Sequence, residues 1–226
     1  MRVFTKCLIC GLMLSVMAFV AGCGGGGGDD DNNGKHSDLA NKKVTRENLE
    51  EFWALANIRL GTPTTTHDAN ETVYTYSGNY GGEMVSRYSY TFNGQQYNVS
   101  EFSQALSEFF QQNDANEFTL VRVQNNSGYY NDFSKDGKLF MDGNSSNNLV
   151  ITSEYGENLK LISTTNEWTI NGTINYSGEF RASLIFDNLK FIYYPNKQHI
   201  SGKVSVRSGG NTFDITDWYL AKYYGI

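Results

Sequence analysis

From Val44 onward, outside two short segments, apolar and polar residues alternate along this chain with period two, and the breaks between alternating runs are only a few residues long. Such alternation marks strands that bury one face. Asn93-Gly94 stands between Tyr88-Ser89-Tyr90-Thr91-Phe92 and Gln95-Gln96-Tyr97, and Asp136-Gly137 precedes Leu139 in a similar setting. Both dipeptides suit type I′ turns, in which two consecutive residues take positive φ. Tyr155-Gly156-Glu157-Asn158 separates Leu149-Val150-Ile151 from Leu159-Lys160-Leu161-Ile162. Further runs cover 167–176, 181–194, 199–207 and 212–216, with Pro195-Asn196 breaking the longest. Connections this short join only antiparallel neighbours, since a parallel pair needs a crossover, usually a helix. After Gln112 no helical period is found. An antiparallel meander follows.

The two exceptions read as helices. Thr45 is placed to N-cap the first, with Glu47, Glu50 and Glu51 at its positive end and Val44 and Leu49 at staple spacing. Leu49, Phe52, Trp53, Ala56 and Leu60 share a face, and Gly61 and Pro63 stop it. The second opens at Asn98, with Glu101 completing a capping box and Tyr97 and Phe102 as its staple. Its stripe is Phe102, Ala105, Leu106, Phe109 and Phe110. Both stripes read as core-facing.

A faint repeat links Ile170-Asn171-Gly172-Thr173-Ile174-Asn175-Tyr176 to Ile200-Ser201-Gly202-Lys203-Val204-Ser205-Val206, and Tyr76-Ser77-Gly78-Asn79-Tyr80 is echoed by Tyr176-Ser177-Gly178-Glu179-Phe180. Two copies are too few for a solenoid. They read as similar hairpins whose glycines mark bulges or bends.

The amino terminus carries an address. Arg2 and Lys6 precede an apolar run over 7–20, and small residues lead into Val20-Ala21-Gly22-Cys23. Charge, apolar stretch and small-residue cleavage site make a secretory signal, and the run is too short for the roughly 20 residues that span a bilayer. Val20-Ala21-Gly22-Cys23 resembles the lipobox of bacterial lipoproteins, usually Leu-Ala-Gly-Cys, with Val20 a mild departure. The resemblance covers the first 23 residues. It implies that the Cys23 sulfur receives diacylglycerol, that cleavage falls before Cys23, and that the new amine is acylated in turn. Two or more acyl chains anchor stably where one does not. Gly24 stands where Asp would signal inner-membrane retention, which by the same resemblance favours the outer membrane. The only other cysteines, Cys7 and Cys10, leave with the signal, so the exported chain has no disulfide.

The chain thus divides into a signal peptide over 1–22, a lipidated Cys and Gly/Asp tether over 23–43, and one β-rich domain over 44–226. Six glycines, four aspartates and three asparagines make the tether a solvated spacer. Without Arg2 and Lys6, sixteen basic residues face twenty-four acidic ones, a net charge of about −8. That balance excludes nucleic acid as a partner, since phosphate binding needs a basic face, and leaves the lipid as the membrane contact.

No constellation for catalysis, metal or cofactor stands out. His36, His67 and His199 have no zinc spacing, and no Gly-x-Ser-x-Gly elbow or Gly-rich phosphate loop is present. The Asp29 and Asp132-x-Ser134-x-Asp136-Gly137 runs begin like calcium loops but end in Ala40 and Gly143, where a bidentate Glu is required. Glu50-Glu51 and Asp214 with Asp217 read as helix-face solvation and turn capping. No enzymatic activity and no cofactor are therefore expected.

Fifteen Tyr, fourteen Phe and three Trp make 14% of the chain aromatic. Such rings stabilise cores and sheet faces, and beside Asn and Gln they also suit sugars. Trp168, Trp218, Tyr129, Tyr130, Tyr193, Tyr194, Tyr223 and Tyr224 are the candidate ligand-facing residues. Neighbours such as Tyr193-Tyr194 must point to opposite faces of a strand. The reading is a mainly-β fold, an antiparallel meander built as a sandwich or a curved half-barrel with two amphipathic helices. Its first functional expectation is a lipid-anchored envelope lipoprotein, structural or protein-binding. The alternative is a binding module for a hydrophobic ligand or a glycan.

Overall fold

The computed structural model describes residues 38–57, 60–194 and 197–225. The signal segment, Cys23, His36 and the Gly/Asp run lie outside them. The strands are β1 (Lys42–Lys43), β2 (Thr64–His67), β3 (Thr72–Ser77), β4 (Gly81–Phe92), β5 (Gln95–Tyr97), β6 (Phe118–Ser134), β7 (Leu139–Gly156), β8 (Lys160–Gly178), β9 (Phe180–Tyr194), β10 (Lys197–Ser208) and β11 (Asn211–Asp214). The helices are α1 (Leu49–Ala56), α2 (Val99–Gln112) and α3 (Thr216–Tyr224).

All eleven strands belong to one open sheet, in the order β11-β10-β9-β8-β7-β6-β4-β3-β2, with β1 on β9 and β5 on β4. It is a single layer, neither a sandwich nor a closed barrel, with β2 and β11 as its ends. Both end strands are four residues long and largely exposed, which blunts edge-to-edge pairing. Every pairing is antiparallel except the two-residue β1, which lies parallel to the start of β9. Asn41 and Lys42 donate backbone N–H groups to the Gly178 and Glu179 carbonyls at 2.9 and 2.8 Å. Pairing thus begins inside the stretch read as tether.

The turn chemistry holds at Asn93-Gly94, where φ is +51° and +75°. Asp136-Gly137 departs from it. The β6–β7 connection is a four-residue loop in which the Asp136 carboxylate accepts the Lys138 and Leu139 N–H groups at 2.9 and 3.3 Å. An aspartate that caps its own loop does not need the left-handed φ of a two-residue turn.

Helices lie on one face of the sheet. Along β4 the residues Met84, Tyr90 and Phe92 point to that face, and α2 seals its far end. Tyr90 stacks on Phe102 at 4.5 Å, Phe92 meets Phe109 edge-on at 4.9 Å, and Phe110 meets Tyr155 at 5.3 Å. Burial of each large side chain is worth about 2 kcal/mol, enough to hold a helix that is marginal alone. The Asn98 side-chain oxygen accepts from the N–H groups of Ser100 and Glu101 at 2.9 and 3.0 Å, the expected cap.

α1 starts later than Thr45 indicates. Asn48 is its N-cap, and its side chain reaches backward, accepting from the Thr45 N–H at 2.7 Å and donating to the Lys43 carbonyl at 2.9 Å. That amide fixes the entering chain, so the turn at 45–47 is spent on entry. Phe52 packs edge-on against Tyr176 and Phe180 at 5.0 and 5.8 Å.

The third helix, α3, overturns the expectation of none after Gln112 and of a strand through Thr216. Its rings are spread around the axis, so no apolar stripe betrays it. Its ends do: Asp214 accepts from the Thr216 N–H at 2.8 Å, and Gly225 closes it with φ +67°.

Two bulges let long strands keep their apolar residues on one side. β6 carries an extra residue at Asp132 (φ +51°) and β9 one at Asn188 (φ +45°), each against both of its neighbours. The extra residue switches parity: Leu184 and Phe186 precede it on even positions, Leu189 and Phe191 follow on odd ones, and all four are buried. Both bulges are built alike. The Asp132 N–H donates to the Asp142 carboxylate and the Asn188 N–H to the Asn171 amide oxygen, each at 2.9 Å. Gly82 and Gly202 face them from the other side, where a Cβ would lie 2.0 Å from a carbonyl oxygen. The repeat at 170–176 and 200–206 is therefore the two flanks of one bulge.

Candidate functional site

Five of the eight candidate aromatics meet in one array between α1, α3 and the sheet. Trp218 contacts Trp53 at 5.3 Å, Trp53 contacts Tyr223 at 5.6 Å, and Tyr223 contacts Tyr219 at 4.9 Å. Tyr224 lies 4.6 Å from Phe191, which contacts Trp168 at 5.8 Å and stacks with Tyr193 at 6.4 Å. The indole N–H groups are spent inside the fold: Trp168 donates to the Asn147 side-chain oxygen, Trp53 to the Tyr223 hydroxyl and Trp218 to Glu50. Burial pushes the Tyr219 and Tyr224 phenols well up, and lifts Tyr223 against the opposing Trp53 hydrogen bond. These rings hold the helices to the sheet and are not a free platform.

The remaining three separate by strand parity. Tyr130 is buried beneath the helices, while Tyr129 is 50% exposed on the reverse face and Tyr194 is 46% exposed at the end of β9. Tyr129 sits at a shallow depression of about 230 Å³ with Val85, Arg87, Ser127, Asn144 and Ser146. The depression opens on a polar face, on which none of the described helices packs. Register aligns Arg87, Ser127, Ser146 and Asn171 in one row, and Ser89, Asn125, Asn148 and Thr169 in the next. Asn148 donates to Asn125 at 2.7 Å.

The other sequence candidates are brought to different places. His67 bonds the Thr72 hydroxyl at 2.9 Å in edge strand β2, and His199 lies on β10. Glu50 pairs with Lys222 at 2.6 Å, which lowers its carboxyl pKa, and Glu51 with Lys42 at 2.9 Å. Hydrogen bonds from Thr216, with Lys203 assisting, hold the Asp214 carboxyl below its usual value. Among the described residues no group of His, Cys, Asp and Glu is placed to hold a metal ion.

Two features went unread in the sequence. Leu161 and Ile162 are 53% and 62% exposed at the β7–β8 turn. Consecutive apolar residues on a strand must face both ways, so one of the pair had to be exposed. Arg122 lies in phase with the buried Leu120 and so places a charge on the helix-bearing face. No family model matches the chain, and no curated protein or solved structure gives a significant match.

Proposed function

We propose that this protein is a lipid-anchored bacterial envelope protein, not an enzyme, that holds a protein partner at the end of its sheet farthest from the membrane. One observation carries the reading. The tether joins the sheet beside the β8–β9 turn at Gly178 and Glu179, whereas Leu161, Ile162 and Val121 lie exposed at the opposite end of the long strands. β8 spans 19 residues between these ends, a separation of roughly 55 Å for an extended strand. Adjacent exposed aliphatic groups favour a protein-binding surface. The lipobox-like Cys23 supplies the anchor, and among the described residues no helix is long and apolar enough to cross a membrane. The acidic net charge keeps the domain off anionic lipid, so the far end stands free.

Fatty-acid labelling should mark the native chain and be lost in Cys23→Ala. Chemical cross-linking in intact cells should join the native protein to one partner, and Leu161→Ser with Ile162→Ser should abolish that product without altering expression. Labelling that persists in Cys23→Ala removes the anchor, and cross-links indifferent to the double substitution remove the binding end.

The second reading is a glycan on the reverse face. It rests on Tyr129, a half-exposed ring bordered by a guanidinium, an amide and hydroxyls, the composition that grips sugars by stacking and hydrogen bonds.

A further inference from the structure

The helix-bearing face is not covered throughout. Register places Arg122, Ile151 and Asn166 in one row across β6, β7 and β8, and Gln124, Leu149 and Trp168 in the next. All six keep partial exposure, whereas Leu120 and Ser153 beyond one row and Ile170 beyond the other are buried. α2 packs on the Leu120 side and α3 on the Phe191 side. The six residues thus floor a trough between the helices, apolar along Ile151 and Leu149, with the Trp168 indole toward one end and the Arg122 guanidinium at the other.

Arg122 is the anomaly of this trough. Its Nε is inaccessible and has no hydrogen-bond acceptor among the described residues. Burial draws its pKa down, opposed by the Tyr155 phenol, and no ion pair to a carboxylate is found for it among the described residues. The nearest carboxylates along the paired strands have the opposite parity. Glu154 accepts from the Ser163 hydroxyl at 2.8 Å, and Glu167 pairs with Lys190 at 2.6 Å, both on the reverse face. Among the described residues, these carboxylates thus face away from a half-covered cation. A guanidinium cannot shed its proton in a protein, so burial without a counter-charge is a standing penalty. That penalty is relieved when an anion joins it, and a planar carboxylate matches the guanidinium fork.

We infer that the trough binds an aliphatic carboxylate, with its head on Arg122 and its chain lying across Ile151 and Leu149 toward Trp168. The strands are about 5 Å apart, so the floor from β6 to β8 is about 10 Å across, the reach of a medium-length alkyl chain. The site is on the helix-bearing face, away from Leu161 and Ile162, and stands independently of the partner-binding end.

Calorimetric titration of the purified full chain with octanoate, octanol and octyl phosphate tests this, using Arg122→Met and Arg122→Lys beside the native protein. Octanoate should bind saturably at one site, octanol at least about tenfold more weakly for want of a charge, and octyl phosphate no more tightly than octanoate. Arg122→Met should lose octanoate binding, and Arg122→Lys should retain part of it. Without ligand, Arg122→Met should unfold at the same or a higher denaturant concentration, because an uncompensated charge has been replaced by an apolar chain of similar length. Equal binding of octanol, preference for octyl phosphate, undiminished binding by Arg122→Met, or a lowered midpoint in that variant would each overturn the assignment. Leu161→Ser with Ile162→Ser should leave the octanoate isotherm unchanged, which separates failure here from failure of the partner-binding reading.

Discussion

Gly202 lies so close to Asn188 that a Cβ on it would sit 2.0 Å from the Asn188 carbonyl oxygen, and its own φ is +87°. The contact is between backbones, so no side chain can move aside. Gly202→Ala is expected to cost about 3 kcal/mol or more, through clash and left-handed strain together. Gly210, with φ +80° but nothing within 4 Å, carries only the conformational part, and Gly210→Ala should cost about 1 kcal/mol. Urea denaturation of the two variants measures the difference; equal midpoints would mean that the bulge at Asn188 relaxes freely.

The Asn98 amide oxygen takes two N–H groups at the start of α2, and its own amide donates to the Asp68 carbonyl at 2.6 Å. It is also buried. Asn98→Ala should therefore destabilise by about 1–2 kcal/mol, and Asn98→Asp, which keeps the acceptor but sets a carboxylate oxygen against the Asp68 carbonyl, should not restore full stability. Amide hydrogen exchange should localise the loss to α2 and to the ends of β4 and β6 beneath it. Uniform loss of protection would contradict a local cap.

Alkaline pH should unfold the protein steeply. Burial raises the phenols of Tyr130, Tyr176, Tyr219 and Tyr224, and pushes Tyr90 up to about 12. Each phenol then ionises more readily in the unfolded chain, near pH 10. Its stabilising contribution is complete below that pH and is lost as pH rises through the folded value, between about 10 and 12 for Tyr90. Absorbance titration should show part of the phenolate signal appearing only with loss of ellipticity. Tyr90→Phe keeps the ring on Phe102 and should flatten the alkaline slope; an unchanged slope would show that Tyr90 does not contribute.

Strand-forming segments were readable because a half-buried strand must alternate, and α2 was readable because its cap and stripe agree. α3 was hidden because its rings are buried from several sides at once, against Trp53, Phe186 and Phe191, so no single stripe was needed. Thr45 misled because the Asn48 side chain bonds backward to Lys43 instead of forward into the helix. The bulges at Asp132 and Asn188 were marked only indirectly, by Gly82, Gly172 and Gly202 and by the parity switch. Tyr129 and Tyr130 stand on opposite faces, as consecutive residues of a strand must, but composition does not tell a packing ring from an exposed one. Only Tyr129 among them borders the reverse-face depression.

Local chemistry along the chain was sufficient to specify the antiparallel class, the turn at Asn93-Gly94, the cap of α2 and the expectation of an anchor at Cys23, because each depends on residues a few positions apart. Whether the strands made one open layer or two, which rings were consumed by helix packing, and where Arg122 and Leu161 came to stand were matters for the folded chain. Those outcomes depend on register and burial between residues far apart in sequence, where a one-residue bulge exchanges the two faces of a strand.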